Sequence, residues 1–232
     1  MGIFIHKEFE SETSLKLHQF PVVTFAAETT EEKAAVKYLL KFYHAFRNFL
    51  YSPKITEIME IDLIGVLADT NVLICGRVDE VRYDRGSKSL IISDLKTRKK
   101  MSEGCENAEM ETVVQISLYR RILGDFLNGV TPWKIMAEVM EIDIEKEFSS
   151  GFQQATLQCG VPAKNFEDLY GAIWRSLWYL PKVLELNIEY VHQGTRKTFK
   201  DKVIDVAQAE QRLERKLEHF FAGYTTNAYD AA

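Results

Sequence analysis

Between Ala34 and Phe46 the chain reads AAVKYLLKFYHAF, with apolar residues recurring every three to four positions, the repeat of a helix that buries one face. Thr29 and Thr30 precede this run as N-cap residues, and Glu31 and Glu32 suit the positive end of a helix dipole. A weaker helical repeat runs from Ile3 to about Leu17 through Ile5, Phe9 and, less regularly, Leu15.

From Ile55 the period shortens to two. The runs ITEIMEIDLIGVLA, VLICGRVDEVRY and SLIISDLKT alternate apolar and polar residues and are separated by the turn compositions ADTN and DRGS, which predicts an antiparallel three-strand meander. The segment METVVQISLYRRILGDFLNG returns to the helical repeat and stops at Gly129, with Pro132 just beyond. Next, WKIMAEVMEIDI carries a strand signature and an irregular, Gln- and Gly-containing connection follows it. A helix over NFEDLYGAIWRSLWYL, a short strand NIEYVHQ and a last helix over DVAQAEQRLERKLEHFFAGY complete the pattern. No internal repeat, low-complexity tract or Pro/Gly/Ser linker divides the chain, so one α/β domain over 1–232 is expected, with a helical insertion at about 145–186.

Composition narrows the function classes. With 46% hydrophobic and 27% charged residues the chain has globular usage, and no run approaches the roughly 18 apolar residues that span a bilayer. The start MGIFIHKEFESE lacks a basic n-region and a long apolar h-region, and His6 stands where N-myristoylation needs Ser or Thr. An intracellular protein without a membrane partner is expected. Cys75, Cys105 and Cys159 are odd in number and form no C-x-x-C pair, which indicates neither a disulfide framework nor a thiolate zinc site. The net charge of −5 excludes indiscriminate attraction to polyanions, so a nucleic-acid partner requires a segregated basic path. Lys96, Arg98, Lys99 and Lys100 in LKTRKK, with Arg120 and Arg121 beyond, offer one.

The chemistry is concentrated in ICGRVDEVRYDRGSKSLIISDLKTRKK, where Asp79, Asp94 and Lys96 interrupt strand-like apolar runs. A hairpin turn near Gly86 and Ser87 sets Asp79 opposite or diagonal to Asp94, within a cross-strand distance of roughly 5 to 8 Å. Alternation puts Lys96 on the same face as Asp94. Two like charges side by side destabilise a sheet unless a divalent cation lies between them, and Mg²⁺ or Mn²⁺ prefers such oxygen donors. A lysine at that place suits orientation of a water nucleophile and stabilisation of charge developing on a phosphoryl group.

Asp79, then Asp94-x-Lys96 across a hairpin, resembles the signature of PD-(D/E)xK nucleases. Gln115 and Tyr119 in VVQISLYRRIL stand one helical turn apart directly after that strand, as in RecB-type members. GRVDEV, KTR, IEYVHQ and EEKAAVKYL extend the resemblance to the exonuclease V family of single-strand DNA exonucleases, patchily over most of the chain. The resemblance implies a restriction-endonuclease-like core: a central mixed sheet with an antiparallel meander, flanked by helices, with inserted C-terminal helices. It implies Asp79, Asp94 and Lys96 as catalytic residues, and a Mg²⁺ or Mn²⁺ site built from His6, Asp79, Asp94 and the carbonyl of Leu95. Glu10, one turn after His6 in GIFIHKEFE, becomes a further ligand or the partner of one. Gln115, Tyr119, Arg98, Lys99 and Lys100 become contacts to single-stranded DNA, in a role in DNA repair or genome maintenance.

The family also resembles itself in four cysteines that hold an iron–sulfur cluster, none of which is matched here. No such cluster is therefore expected, and the chain reads either as a short, cluster-free relative or as the core of a longer protein. A protein partner replacing the missing terminal segments is a corollary. Two other readings use the same residues: a RecB-like nuclease of CRISPR spacer acquisition, and a catalytically silent nucleic-acid-binding module, whose usual mark, loss of the acids, is not seen at Asp79 and Asp94.

Overall fold

The computed structural model of the chain describes residues 25–52, 54, 56–67, 72–98, 106–131, 133–182, 184–192, 195 and 198–229. The helix expected from Ile3 to Leu17 lies outside them. Thr29 caps the next helix as expected: its hydroxyl accepts the Glu32 N–H, and the Glu32 carboxylate accepts the Thr29 N–H in return. Helix α1 (Thr30–Ala34) continues through a π-helical segment (Ala35–Leu40) into α2 (Lys41–Tyr51). Leu39, Leu40, Phe42, Tyr43, Phe46 and Phe49 are buried along it, the face that the helical repeat marks out.

Glu32 also ties this helix to a segment well over a hundred residues later in the chain. Its second oxygen accepts the Ser149 N–H at 2.7 Å, while Glu31 receives the Lys146 ammonium at 2.8 Å. Burial alone would raise both carboxyls. For Glu32 the N–H groups of Ser149 and Glu28 outweigh it, and for Glu31 the Lys146 ammonium does, so both stay below the ordinary carboxylate value.

The meander forms as the alternation predicts, from β1 (Glu57–Leu67), β2 (Val72–Asp84) and β3 (Ser89–Arg98). β4 (Leu184–His192) then pairs parallel to β3, and β5 (Thr198–Ile204) pairs antiparallel to β4. The result is a five-stranded mixed sheet in the order β1-β2-β3-β4-β5, flanked by helices, an α/β fold. β5 has little sequence signal because it is an edge strand: Ile204 is buried, its neighbour Val203 is 75% exposed, and charged residues fill the middle of the run.

Helix α3 (Glu106–Asn128) follows β3, touches β1, β2, β3 and β4, and ends at Gly129 with φ +71°, a left-handed conformation that glycine adopts without strain. Two segments differ from expectation. WKIMAEVMEIDI is not a strand: Trp133–Val139 forms helix α4, because Trp133, Met136, Ala137 and Met140 share a helical face on which Met136 and Ala137 are buried. The apolar residues that follow lie in a turn, where the Asp143 carboxylate accepts the N–H groups of Glu145 and Lys146. The expected irregular connection contains α5 (Ser150–Gln158), capped by the Ser149 hydroxyl. α6 (Phe166–Leu177) and α7 (Val206–Tyr229) form where helices are expected. Among the described residues, no helix is long and apolar enough to cross a membrane.

Glu32→Ala removes an acceptor shared by three backbone N–H groups, so it should lower stability by about 2–3 kcal/mol in urea unfolding. Because the folded-state carboxyls of Glu31 and Glu32 lie below their ordinary value of 4.5, their contribution is present above that pH and is lost as pH falls through the depressed values. The acid limb of the stability–pH curve should accordingly be shallower in the variant than in the parent.

Candidate active site

Asp79 occupies a defect in the sheet. The β1–β2 ladder pairs Met59 with Glu80 and Ile61 with Val78 but skips the position between them, where Glu60 faces Asp79. The β2–β3 ladder ends at Glu80 with Ser93, one residue before Asp79 would meet Asp94. Burial changes parity at the same place. Buried apolar residues run Ile58, then Ile61 and Leu63 on β1, and Val78, then Val81 on β2, gaps of three where a regular strand has two. Glu60, with φ +55°, sits in that gap.

Just beyond the last β2–β3 ladder pair the Asp79 carboxylate accepts the Leu95 N–H at 2.9 Å, a side-chain acceptor where the ladder stops. On β3, Asp94 is buried with 6% exposure, and the Lys96 ammonium lies 2.7 Å from its Oδ2. That contact is an ion pair off the hydrogen-bond direction, and Oδ2 keeps no directed hydrogen-bond partner. Asp79, Asp94 and Lys96 are thereby brought to one place, at facing and alternate positions of two adjoining strands.

The elements around the acids are fastened at several points. Glu109 near the start of α3 accepts the Tyr190 hydroxyl at 2.5 Å and the Lys202 ammonium at 2.6 Å, and Tyr190 lies opposite Lys96 in the β3–β4 register. With its start held there, α3 lays Tyr119 on β2 at Gly76. A Cβ on Gly76 would stand 2.3 Å from the Tyr119 ring, so only glycine admits this approach. Gln115, one turn earlier, donates to the Tyr119 hydroxyl at 2.9 Å, which joins the two as one unit.

On β2 and its neighbours a set of buried polar residues lies beside the acids that sequence reasoning passed over. Arg82 pairs with Glu80 at 3.3 Å, donates to the Ser93 hydroxyl at 3.3 Å, and forms an ion pair with Glu189 on β4. Burial pushes the Glu80 carboxyl up to about 7 against the pull of Arg82. The only sequence signal was an acid and an arginine two residues apart on a strand. That pattern usually marks a solvated face.

The remaining expected site residues are less informative. Arg98 closes β3 opposite His192, while His6, Glu10, Lys99 and Lys100 lie outside the described residues. Arg120 and Arg121 do not extend a basic path: Arg120 donates to the Leu184 carbonyl and Glu210, and Arg121 pairs with Glu210 and Glu214, which fastens α7 to α3. Among the described residues no three His, Cys, Asp or Glu side chains converge to hold a metal ion. The two carboxylates nevertheless suit a hard cation of the Mg²⁺ kind, which binds through one or two carboxylates and leaves its other positions to water or phosphate, and Asp94 Oδ2, ion-paired but without a directed hydrogen bond, is the kind of atom it takes.

An acid pair from adjoining strands, a lysine beside it and a Gln–Tyr helix over a mixed sheet define an α/β protein with an Asp, Asp-x-Lys site. The family model described as Exonuclease V, a 5′ deoxyribonuclease, matches residues 84–171, which include Asp94, Lys96, Gln115 and Tyr119. Exonuclease V of Danio rerio is 26% identical over 219 residues, 91% of this chain and 53% of that protein. Both matches are to exonuclease V, which this chain resembles. The chain spans about half the length of that curated relative.

Gly76→Ala should displace the Tyr119 ring and destabilise the fold by about 1–3 kcal/mol, the usual penalty of overpacking. Most of that loss should return in the Gly76→Ala/Tyr119→Leu double variant, as measured by urea unfolding of the four members of the cycle.

Proposed function

We propose that this chain is a Mg²⁺- or Mn²⁺-dependent deoxyribonuclease, an exonuclease that hydrolyses phosphodiester bonds of single-stranded DNA in repair or genome maintenance. The observation that carries the reading is the ion-paired Lys96 at 2.7 Å from a buried Asp94 whose Oδ2 lacks a directed hydrogen bond, beside Asp79 on the adjoining strand, which accepts the Leu95 N–H. A structural role alone would favour apolar residues at such positions, since buried charges cost more than well-packed hydrocarbon. The 5′ deoxyribonuclease description of the matching family supports both the substrate and a 5′ polarity.

In this reading Asp79 and Asp94 hold the cation, with His6 and the Leu95 carbonyl as further ligands and Glu10 beside His6. A bound divalent cation would supply Lewis-acid polarisation of the scissile phosphate and acidify water. Lys96 orients the attacking water and offsets the negative charge that grows on the phosphoryl oxygens. Asp94 holds Lys96 in place through their ion pair. Gln115 and Tyr119 present a polar helix face to the strand being cut, and Arg98, Lys99 and Lys100 hold its phosphates.

The test uses single-stranded DNA labelled at the 5′ or 3′ end, incubated with the purified chain in Mg²⁺, Mn²⁺ or EDTA. Cleavage should need the metal and shorten the strand from its 5′ end. Asp79→Ala, Asp94→Ala and Lys96→Ala should each lower the rate at least about a hundredfold while circular dichroism shows the parental fold. Folded variants that cut like the parent would overturn the assignment.

A further inference from the structure

The reverse side of the strands at the acid pair carries a network that the proposed chemistry does not use. Glu80 follows Asp79 and Ser93 precedes Asp94, and these two residues form the last backbone pair before β2 and β3 separate. On β3 alternation directs Ser93 away from Asp94, and Glu80 is the ladder partner of Ser93. Arg82 reaches both, with its Nη2 3.4 Å from Glu80 Oε2 and 3.3 Å from Ser93 Oγ. The same nitrogen pairs with Glu189, which sits opposite Leu95 on β4. Asn187, opposite Ser93, donates to Glu189 from its amide at 3.5 Å. One guanidinium therefore links β2, β3 and β4 at the level where the ladder ends.

Ser93 is fully buried, and the side chains of Glu80 and Glu189 are only 8% and 11% exposed. An arginine between two nearly buried carboxylates is a costly arrangement, and an apolar set of the same volume would serve stability as well or better. What the network supplies is position. The planar fork fixes three strands at once, which a hydrophobic contact or a single ammonium does not do. Just beyond Glu80 and Ser93 the Leu95 N–H donated to Asp79 ties the strands, so the separation of the two acids depends on how firmly the final ladder pair is held.

We infer that Arg82 is a positioning residue for the cation site, setting the spacing of Asp79 and Asp94 from the opposite face of the sheet through Glu80, Ser93 and Glu189. The inference rests on the metal-site reading above and goes beyond it by adding residues that touch neither cation nor DNA. It separates Arg82 from an ordinary surface arginine, whose replacement by lysine would leave the cation site unchanged.

Mn²⁺ binding to the purified chain, followed by the electron paramagnetic resonance of free Mn²⁺, tests this without reference to turnover. Arg82→Lys keeps the charge but loses the fork, and should weaken Mn²⁺ binding about 10–100-fold, the usual effect of removing support behind a metal ligand. A parallel cleavage assay should show kcat reduced while KM for the oligonucleotide stays within about twofold, because substrate contacts are intact. If Arg82→Lys does not fold, the Arg82→Met/Glu80→Gln/Glu189→Gln triple variant removes the network without stranding a buried charge and should show the same loss. A folded variant that binds Mn²⁺ as the parent does would overturn the positioning role while leaving the metal site standing. A parent chain that binds no Mn²⁺ would overturn both.

Discussion

Everything distinctive in this molecule follows from one hydrogen bond, the Leu95 N–H donated to the Asp79 carboxylate where β2 and β3 part. A buried amide that loses its ladder partner must find another acceptor, and here a side chain replaces a carbonyl. That exchange lets the strands separate without leaving an unsatisfied donor. It also holds a carboxylate at the opening, directly across from Asp94 in the extended register. A regular hairpin would have kept Asp79 in the ladder and the acids apart in role.

The rest of the fold maintains the split. Glu60, in a left-handed conformation, lies across from Asp79 where the β1–β2 register skips a position. Helix α3 is set by Glu109 at the Tyr190 hydroxyl and by Tyr119 in the space left by Gly76, and it closes over β2 just ahead of the acid. α7 is fastened to α3 through Arg120 and Arg121, and the start of α1 is fastened to the segment before α5 through Glu31 and Glu32. The charged residues that remain at the opening, Asp94 and Lys96, are paired with each other, and the pair still leaves an oxygen without a directed donor.

Much of this was legible in the sequence because the signals were local. Thr29 with Glu32, the meander, α3 and the Asp, Asp-x-Lys spacing are each specified by residues within a turn or two of one another. What was not legible depends on partners far along the chain. Strand β5 pairs only as an edge and so exposes Val203, and α4 carries a strand signature because its seven residues are too few to establish a helical repeat. Arg120 and Arg121 looked like a phosphate path until Glu210, some ninety residues later, was placed beside them. Arg82 gives only a weak signal, an acid two residues before it, because its partners Ser93 and Glu189 lie on other strands, and two-residue alternation, read strictly, hides a parity change like that at Asp79.

The most direct measurement is crystallographic: anomalous scattering at the manganese edge from crystals of this chain grown or soaked with Mn²⁺. A peak within about 2.0–2.3 Å of both the Asp79 and Asp94 carboxylates, with Lys96 turned toward it, is the expected result. Asp79 and Asp94 facing each other in well-ordered density with no peak between them at saturating Mn²⁺ would contradict the account.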